Sequence, residues 1–233
     1  MSKLLGPYQA FLFDMDGSLL TSRPAIERVW NAWSARWRLD PPEVSNFLHG
    51  RRAIDAVDHF LPHLEPHQRS DEIEWVESRE LQDTEGVVEI PGARDFLNTL
   101  PPERWAIVTS AARRLAACRI EAAGLPMPNI LLAAEDVHHG KPDPSGYRRA
   151  ATLLGTSAEQ CLVFEDAPAG IRAGLASGAD IVVIGDDSES RALAQNARAV
   201  SFAAMCAKHC AGVGLRLTLS QLADRRFQRP DVG

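Results

Sequence analysis

The sequence predicts an α/β fold: a parallel sheet flanked by helices, with one inserted helical bundle. Three observations carry that reading. Short apolar runs at 11–13, 105–108, 130–133, 161–164 and 181–184 alternate with alanine-rich, arginine-dotted segments such as 111–123 and 168–177, a strand, helix, strand rhythm. Polar, chemistry-bearing residues follow several of these runs directly, and right-handed crossovers bring such strand ends to one edge of a sheet. The rhythm breaks once, between Leu20 and Val87, where no strand-like run occurs and Trp30, Trp33 and Trp37 recur at helical spacing.

The first strand, Phe11-Leu12-Phe13, runs into Asp14 and Asp16, with Gly17 and Ser18 behind them. The carboxyl ends of parallel strands face the ligand crevice, and glycine lets backbone approach a bound group. One carboxylate there can attack phosphorus and its neighbour can shuttle a proton, since an acyl-phosphate is readily hydrolysed. Taken alone, Asp-x-Asp-Gly equally fits a calcium loop or a solvated turn.

The insertion follows. A second helical stretch, roughly 70–82, carries Trp75, so four of the five tryptophans fall in the insertion, where they are expected to form a small core rather than a stacking platform for substrate. Between the helical stretches, His49 to Asp55 includes Arg51 and Arg52, either donors to hydroxyls or a second anion, or an arginine-rich helix start in solvent. The segment 85–92 returns the chain to the sheet.

Trp105-Ala106-Ile107-Val108 ends in Thr109 and Ser110, whose hydroxyls and amides suit phosphoryl oxygens at a helix start. Lys141, between Gly140 and Pro142, offers one ammonium in a stiff turn, or is a plain surface lysine; His138 and His139 before it read as polar loop. The run 161–164 leads into Glu165 and Asp166. Adjacent carboxylates repel unless a cation joins them, and hard oxygen ligands select magnesium. A cation is also needed for attack: two unit anions about 4 Å apart in an effective dielectric near 20 repel by roughly 4 kcal/mol, several powers of ten in rate.

In this order, Asp-x-Asp, hydroxyl, lysine, acidic pair, the chain resembles the haloacid-dehalogenase superfamily of phosphohydrolases, with a Rossmann-like core and an inserted α-helical cap domain. The resemblance implies a core of 1–20 and 88–233 and a cap of 21–87, with hinges near 20–22 and 86–91. It implies that Asp14 is the nucleophile and a magnesium ligand, and that Asp16 is the general acid and base, binding metal through its carbonyl. Thr109, Ser110 and Lys141 would hold phosphate, and Glu165 with Asp166 would complete the Mg2+ site. Ser18 stands where the family usually has threonine, a change that keeps the hydroxyl.

At finer resolution, 49–57, 101–106 and 164–171 are similar to the polyol and sugar phosphatases, including glycerol-3-phosphatase, 2-deoxyglucose-6-phosphatase and bacterial hexitol phosphatases. This implies a small phosphorylated sugar or polyol as substrate. Other members fit less well. A phosphonoacetaldehyde hydrolase needs a cap lysine, and the lysines here are Lys3, Lys141 and Lys208. A dehalogenase has no use for Asp16. A β-phosphoglucomutase carries a histidine where this chain has Ile26. A non-catalytic sugar-phosphate sensor would not need every catalytic position intact.

Composition sets the bounds. The 233 residues, 45% of them hydrophobic, suit one large domain with an insertion or two modest domains, and the net charge of −6 argues against a nucleic-acid partner. No run approaches the ~20 apolar residues a bilayer requires, so the cytoplasm is the expected location. Cys118, Cys161, Cys206 and Cys210 form no paired framework and read as reduced thiols; Cys206, His209 and Cys210, on an expected helix, read as packing residues rather than a soft-metal site. Segment 201–205 is expected to be a last core helix, 214–219 an edge strand and 225–230 a loose end.

Overall fold

The computed structural model describes residues 3–185, 188–193, 197–199, 201–210 and 212–219; the loose end expected at 225–230 lies outside them. In chain order, β1 (Lys3–Tyr8), β2 (Ala10–Phe13) and β3 (Leu20–Thr21) precede four helices, α1 (Arg23–Trp37), α2 (Pro41–Leu48), α3 (Ala53–Phe60) and α4 (Pro66–Gln82). Next come β4 (Val88–Glu89), α5 (Ala93–Asn98), β5 (Trp105–Val108), α6 (Arg113–Ala122), β6 (Leu131–Leu132), α7 (Ser145–Leu153), β7 (Cys161–Glu165) and α8 (Pro168–Ser177). β8 (Asp180–Ile184), α9 (Ser188–Leu193), β9 (Ala197–Ala199), β10 (Met205–Cys210) and β11 (Gly214–Leu219) complete the fold.

Six strands form a parallel sheet in the order β6-β5-β2-β7-β8-β9. From β2 the chain first builds outward through β5 and β6, then returns to the other side of β2 through β7 and β8. The crevice above β2 and β7 is therefore the point where strand order reverses, the place an open α/β sheet offers a ligand. β2, β5 and β7 are buried along their whole length, as strands covered on both faces must be. Phe13 and Phe164, paired across β2 and β7, stack at 4.5 Å between ring centroids, with Phe96 and Phe202 closing over them. That register sets Asp14 beside Glu165, and the Asp14 amide donates to the Phe164 carbonyl at 2.9 Å.

The four helices α1 to α4 have their own core, centred on Trp30, Trp33, Val44, Val57 and Val76. α1 starts with Pro24 in its first turn and stops at Arg38, whose φ of 55° ends the helix in the left-handed region. α4 opens on a capping box in which the Gln68 side chain accepts from the Glu65 amide at 2.9 Å. Inside, the Glu72 carboxylate accepts from Trp33 Nε1, Trp37 Nε1 and Arg36 Nη2, each at 2.9 Å. The tryptophans thus build the bundle, as expected; Trp33 is fully buried, and its truncation to alanine would cost about 3–5 kcal/mol. Chain entry and exit are tied together: β3 and β4 pair antiparallel, Leu20 opposite Glu89 and Thr21 opposite Val88.

Two expectations for the C-terminal segment do not hold. Residues 201–205 are not a core helix: a single 3-10 turn, Phe202–Ala204, leads into β10. β11 is not an edge strand of the main sheet but the middle of a separate antiparallel sheet, β1-β11-β10. The Cys206, His209, Cys210 grouping falls with the helix, because strand alternation sends His209 to the face opposite Cys206 and Cys210, and Cys206 is exposed rather than packed.

Candidate active site

The loops after β2, β5, β6 and β7 meet over the crevice. Asp14, first residue beyond β2, is only 5% exposed, and its Oδ1 receives the ammonium of Lys141. Lys141 also donates to Glu165 Oε1 at 2.7 Å. The sequence-predicted nucleophile, lysine and acidic pair are therefore neighbours, although residues 14 and 141 are far apart in the chain. Asp14, Glu165 and Asp166 each bring a carboxylate oxygen within 4.8 Å of one another.

The three carboxylates differ in what already holds them. Glu165 is fully buried and has a donor on every side: Lys141 and the Tyr147 hydroxyl (2.9 Å) on Oε1, the amides of Asp166 (2.9 Å) and Ala167 (3.0 Å) on Oε2. Asp166 takes the Ser18 hydroxyl on Oδ1 at 3.1 Å, and His49 Nε2 lies 3.2 Å from its Oδ2. Gly17 makes this approach feasible: its φ is +89°, and a Cβ there would stand 1.9 Å from Asp166 Oδ2.

Burial raises the Asp14 carboxyl well above the ordinary carboxylate range, Glu165 adds to the effect, and Lys141 opposes it. Asp166 is raised too, chiefly by burial, with His49 and Ser18 pulling the other way. Burial disfavours the charge on Lys141, yet Asp14 and Glu165 together raise it above the usual lysine range. Three carboxylates around one ammonium leave an excess of negative charge. That excess and the hard oxygen donors fit a divalent cation.

Asp16 stands apart from this cluster. Its Oδ1 accepts from the Ser22 hydroxyl at 2.5 Å and from Arg119 Nη1 at 3.1 Å. Thr109 is buried, and its Oγ1 accepts from the Ala111 amide at 3.1 Å. Ser110 donates to the Gly50 carbonyl at 2.9 Å, a bond from core to cap. Gly50, at φ +78°, is seated so closely that a Cβ would come 2.7 Å from that of Ala167.

The two cap arginines part company. Arg51 lines the cleft, with its guanidinium 4.7 Å from the Phe47 ring centroid. Arg52 is engaged throughout: Nε (3.0 Å) and Nη2 (2.6 Å) grip Asp55, and Nη1 donates to the carbonyls of Val137 and His138 at 3.4 Å each. It straps the cap to the loop that carries Lys141. His138 and His139 are exposed, the polar loop expected of them, although His139 also borders the small pocket beside Thr109, Ser110 and Lys141.

A cleft of about 1300 Å³ lies between cap and core, and Asp14, Asp16, Ser22, Ile26, Arg51 and Ser110 are among its walls. Three residues with no role at the site in the sequence reading matter here: Tyr147 in the first turn of α7, Arg119 in the last turn of α6, and Ser22, named only as part of a hinge.

A sheet of this topology, an inserted helical cap and four polar loops at the strand ends define a haloacid dehalogenase-like hydrolase. The chain belongs to that family, whose model matches residues 8–178. It is 42% identical over 178 residues to hexitol phosphatase A of Escherichia coli (strain K12), covering 76% of this chain and 82% of that protein. It is 36% identical to glycerol-1-phosphate phosphohydrolase 2 of Saccharomyces cerevisiae, over 75% of this chain and 74% of the other. Among solved structures, a hydrolase from Pseudomonas syringae superposes with a TM-score of 0.73 over 82% of this chain and 93% of that one, at 23% identity, a likeness of fold. No helix among the described residues is long and apolar enough to cross a membrane.

Proposed function

We propose that the protein is a Mg2+-dependent phosphatase that hydrolyses a small phosphorylated sugar or polyol through an aspartyl-phosphate on Asp14. The observation that carries this reading is the buried contact of Asp14 with Lys141 at the mouth of β2, beside the carboxylate of Asp166. The relatives named as a hexitol phosphatase and a glycerol-1-phosphate phosphohydrolase support this substrate class. The cytoplasmic assignment belongs to the same proposal and rests on four unbridged thiols.

In this reading Asp14 attacks phosphorus, and Lys141 offsets the repulsion between that carboxylate and the phosphate. Asp16 gives a proton to the departing alkoxide oxygen and afterwards takes one from the water that attacks the phosphoaspartate. Thr109 and Ser110, with the amides of their loop, border the phosphoryl oxygens. Asp14, Asp166 and the Asp16 carbonyl would hold the cation, which supplies neutralising charge beside the phosphate when bound. Glu165 has no lone pair to spare, so we assign it to holding Lys141 rather than to the metal directly. Arg51 is the stronger candidate for the sugar end of the substrate; Arg52 has four of its five donors engaged by Asp55, Val137 and His138. The domain division proposed is 1–20 and 88–233 for the core and 21–87 for the cap.

Ile26, on the cleft wall, offers no proton acceptor to a second sugar hydroxyl, which favours hydrolysis over a mutase reaction. The test is phosphate release from glycerol, mannitol, sorbitol, glucose, fructose and 2-deoxyglucose phosphates with magnesium. Release from a subset, abolished by chelator, is expected. Isomerisation without release would establish the mutase, and binding without either a sensor.

A further inference from the structure

Arg119 is only 2% exposed and belongs to none of the four motif loops. From α6 its guanidinium forks across the junction of the two domains: Nη1 donates to Asp16 Oδ1 in the core and Nη2 to Glu80 Oε1 on α4 of the cap, each at 3.1 Å. Trp30 of α1 donates to the same Glu80 oxygen at 3.3 Å. Among the described residues, none accepts from the buried Arg119 Nε. A buried charge trio gains little over apolar packing, and a stranded donor makes it worse, so stability alone does not explain the arrangement.

What the fork does achieve is to orient one carboxylate. Both partners of Asp16, Arg119 and Ser22, fall on Oδ1. Among the described residues none bonds Oδ2, and Asp16 lines the cleft. We propose that Arg119 is a positioning residue for Asp16, holding Oδ1 so that Oδ2 is presented to the leaving-group oxygen while Glu80 and Trp30 keep the cap seated. The inference rests on the role of Asp16 given above. As the Asp14–phosphorus bond forms and the ester P–O bond breaks, the proton on Oδ2 passes to the departing alkoxide; the resulting carboxylate then accepts a proton from water.

The leaving group provides the test. A polyol alkoxide needs that proton, whereas p-nitrophenolate leaves without it, and kcat/KM reports the steps up to leaving-group loss. In Arg119→Met, kcat/KM for glycerol phosphate should fall about 100-fold and that for p-nitrophenyl phosphate by less than about threefold, with partial recovery in Arg119→Lys. Glu80→Gln, which keeps the arginine and removes the cap-side charge, should show the same imbalance in weaker form and stands in should Arg119→Met fail to fold. Equal losses on both substrates would overturn the inference. Asp16→Asn is the reference. If it shows the imbalance and the Arg119 and Glu80 variants do not, Arg119 is merely structural; if it shows none, the role of Asp16 itself falls.

Discussion

Lys141 Nζ sits 2.7 Å from Glu165 Oε1, and the Tyr147 hydroxyl donates to that same oxygen at 2.9 Å. One carboxylate thereby aims the lysine of one loop at the aspartate of another. Replacing Tyr147 with phenylalanine removes a buried bond to a charged acceptor, worth about 1.5–3 kcal/mol. The expected result is a melting temperature lower by roughly 4–10 °C, read by calorimetry. An unchanged melting temperature would show that the hydroxyl bond contributes nothing.

Asp14→Asn should reduce phosphate release by at least about 10³-fold, because an amide cannot form the acyl-phosphate. Rapid acid quench with labelled substrate should trap phosphoenzyme in the wild type and none in the variant. Label retained by Asp14→Asn would place the nucleophile elsewhere.

Gly17→Ala sets a methyl group against the Asp166 carboxylate at a backbone angle that alanine rarely adopts. The magnesium concentration needed for half-maximal turnover should rise by about tenfold or more, with a smaller effect on saturating activity. Titration of activity with magnesium measures both.

The metal-free protein should respond to pH in a defined direction. Asp14 and Asp166 are raised chiefly by burial, so the folded state binds protons more readily than the unfolded chain does. Their contribution to stability is complete below the usual carboxylate range and is lost as pH rises through the raised values. In chelator, wild-type melting temperature should therefore fall relative to Asp14→Asn as pH rises from acid to neutral. Magnesium, which favours the ionised carboxylates, should flatten the difference, adding about 2.7 kcal/mol at a hundredfold excess over its dissociation constant. A wild-type melting temperature that rises relative to Asp14→Asn as pH rises would refute the assignment.

Thiol labelling separates the cysteines. Burial pushes the Cys161 thiol up to about 12, whereas Cys206 is exposed on β10. Iodoacetamide at mildly alkaline pH should modify Cys206 in the folded protein and Cys161 only in denaturant, as mass mapping would reveal.

The residues legible in the sequence were those whose meaning is local. Asp14, Thr109 and Glu165 each follow an apolar run, so a strand end and a functional group are read in one glance, and the tryptophan spacing of 30, 33 and 37 betrays a helix. Arg119 and Tyr147 were not legible because they lie inside helices, where nothing local separates them from solvent-facing neighbours; their partners Asp16 and Glu165 are supplied by tertiary packing. Arg51 and Arg52 are adjacent in the chain yet differ in fate, since Asp55 is placed to grip only the second. β10 was misread because Met-Cys-Ala-Lys-His-Cys contains no β-branched residue, and its strand is imposed by pairing with β11.

The β3–β4 ladder has a consequence for how such a protein diversifies. Because the two crossings into the helical bundle lie side by side, the bundle joins the sheet at one place, and any exchange of it would have to keep Ser22 and Glu80, which hold Asp16 directly and through Arg119. A lid could then vary freely only at wall positions such as Ile26 and Arg51, which touch the cleft and not that aspartate.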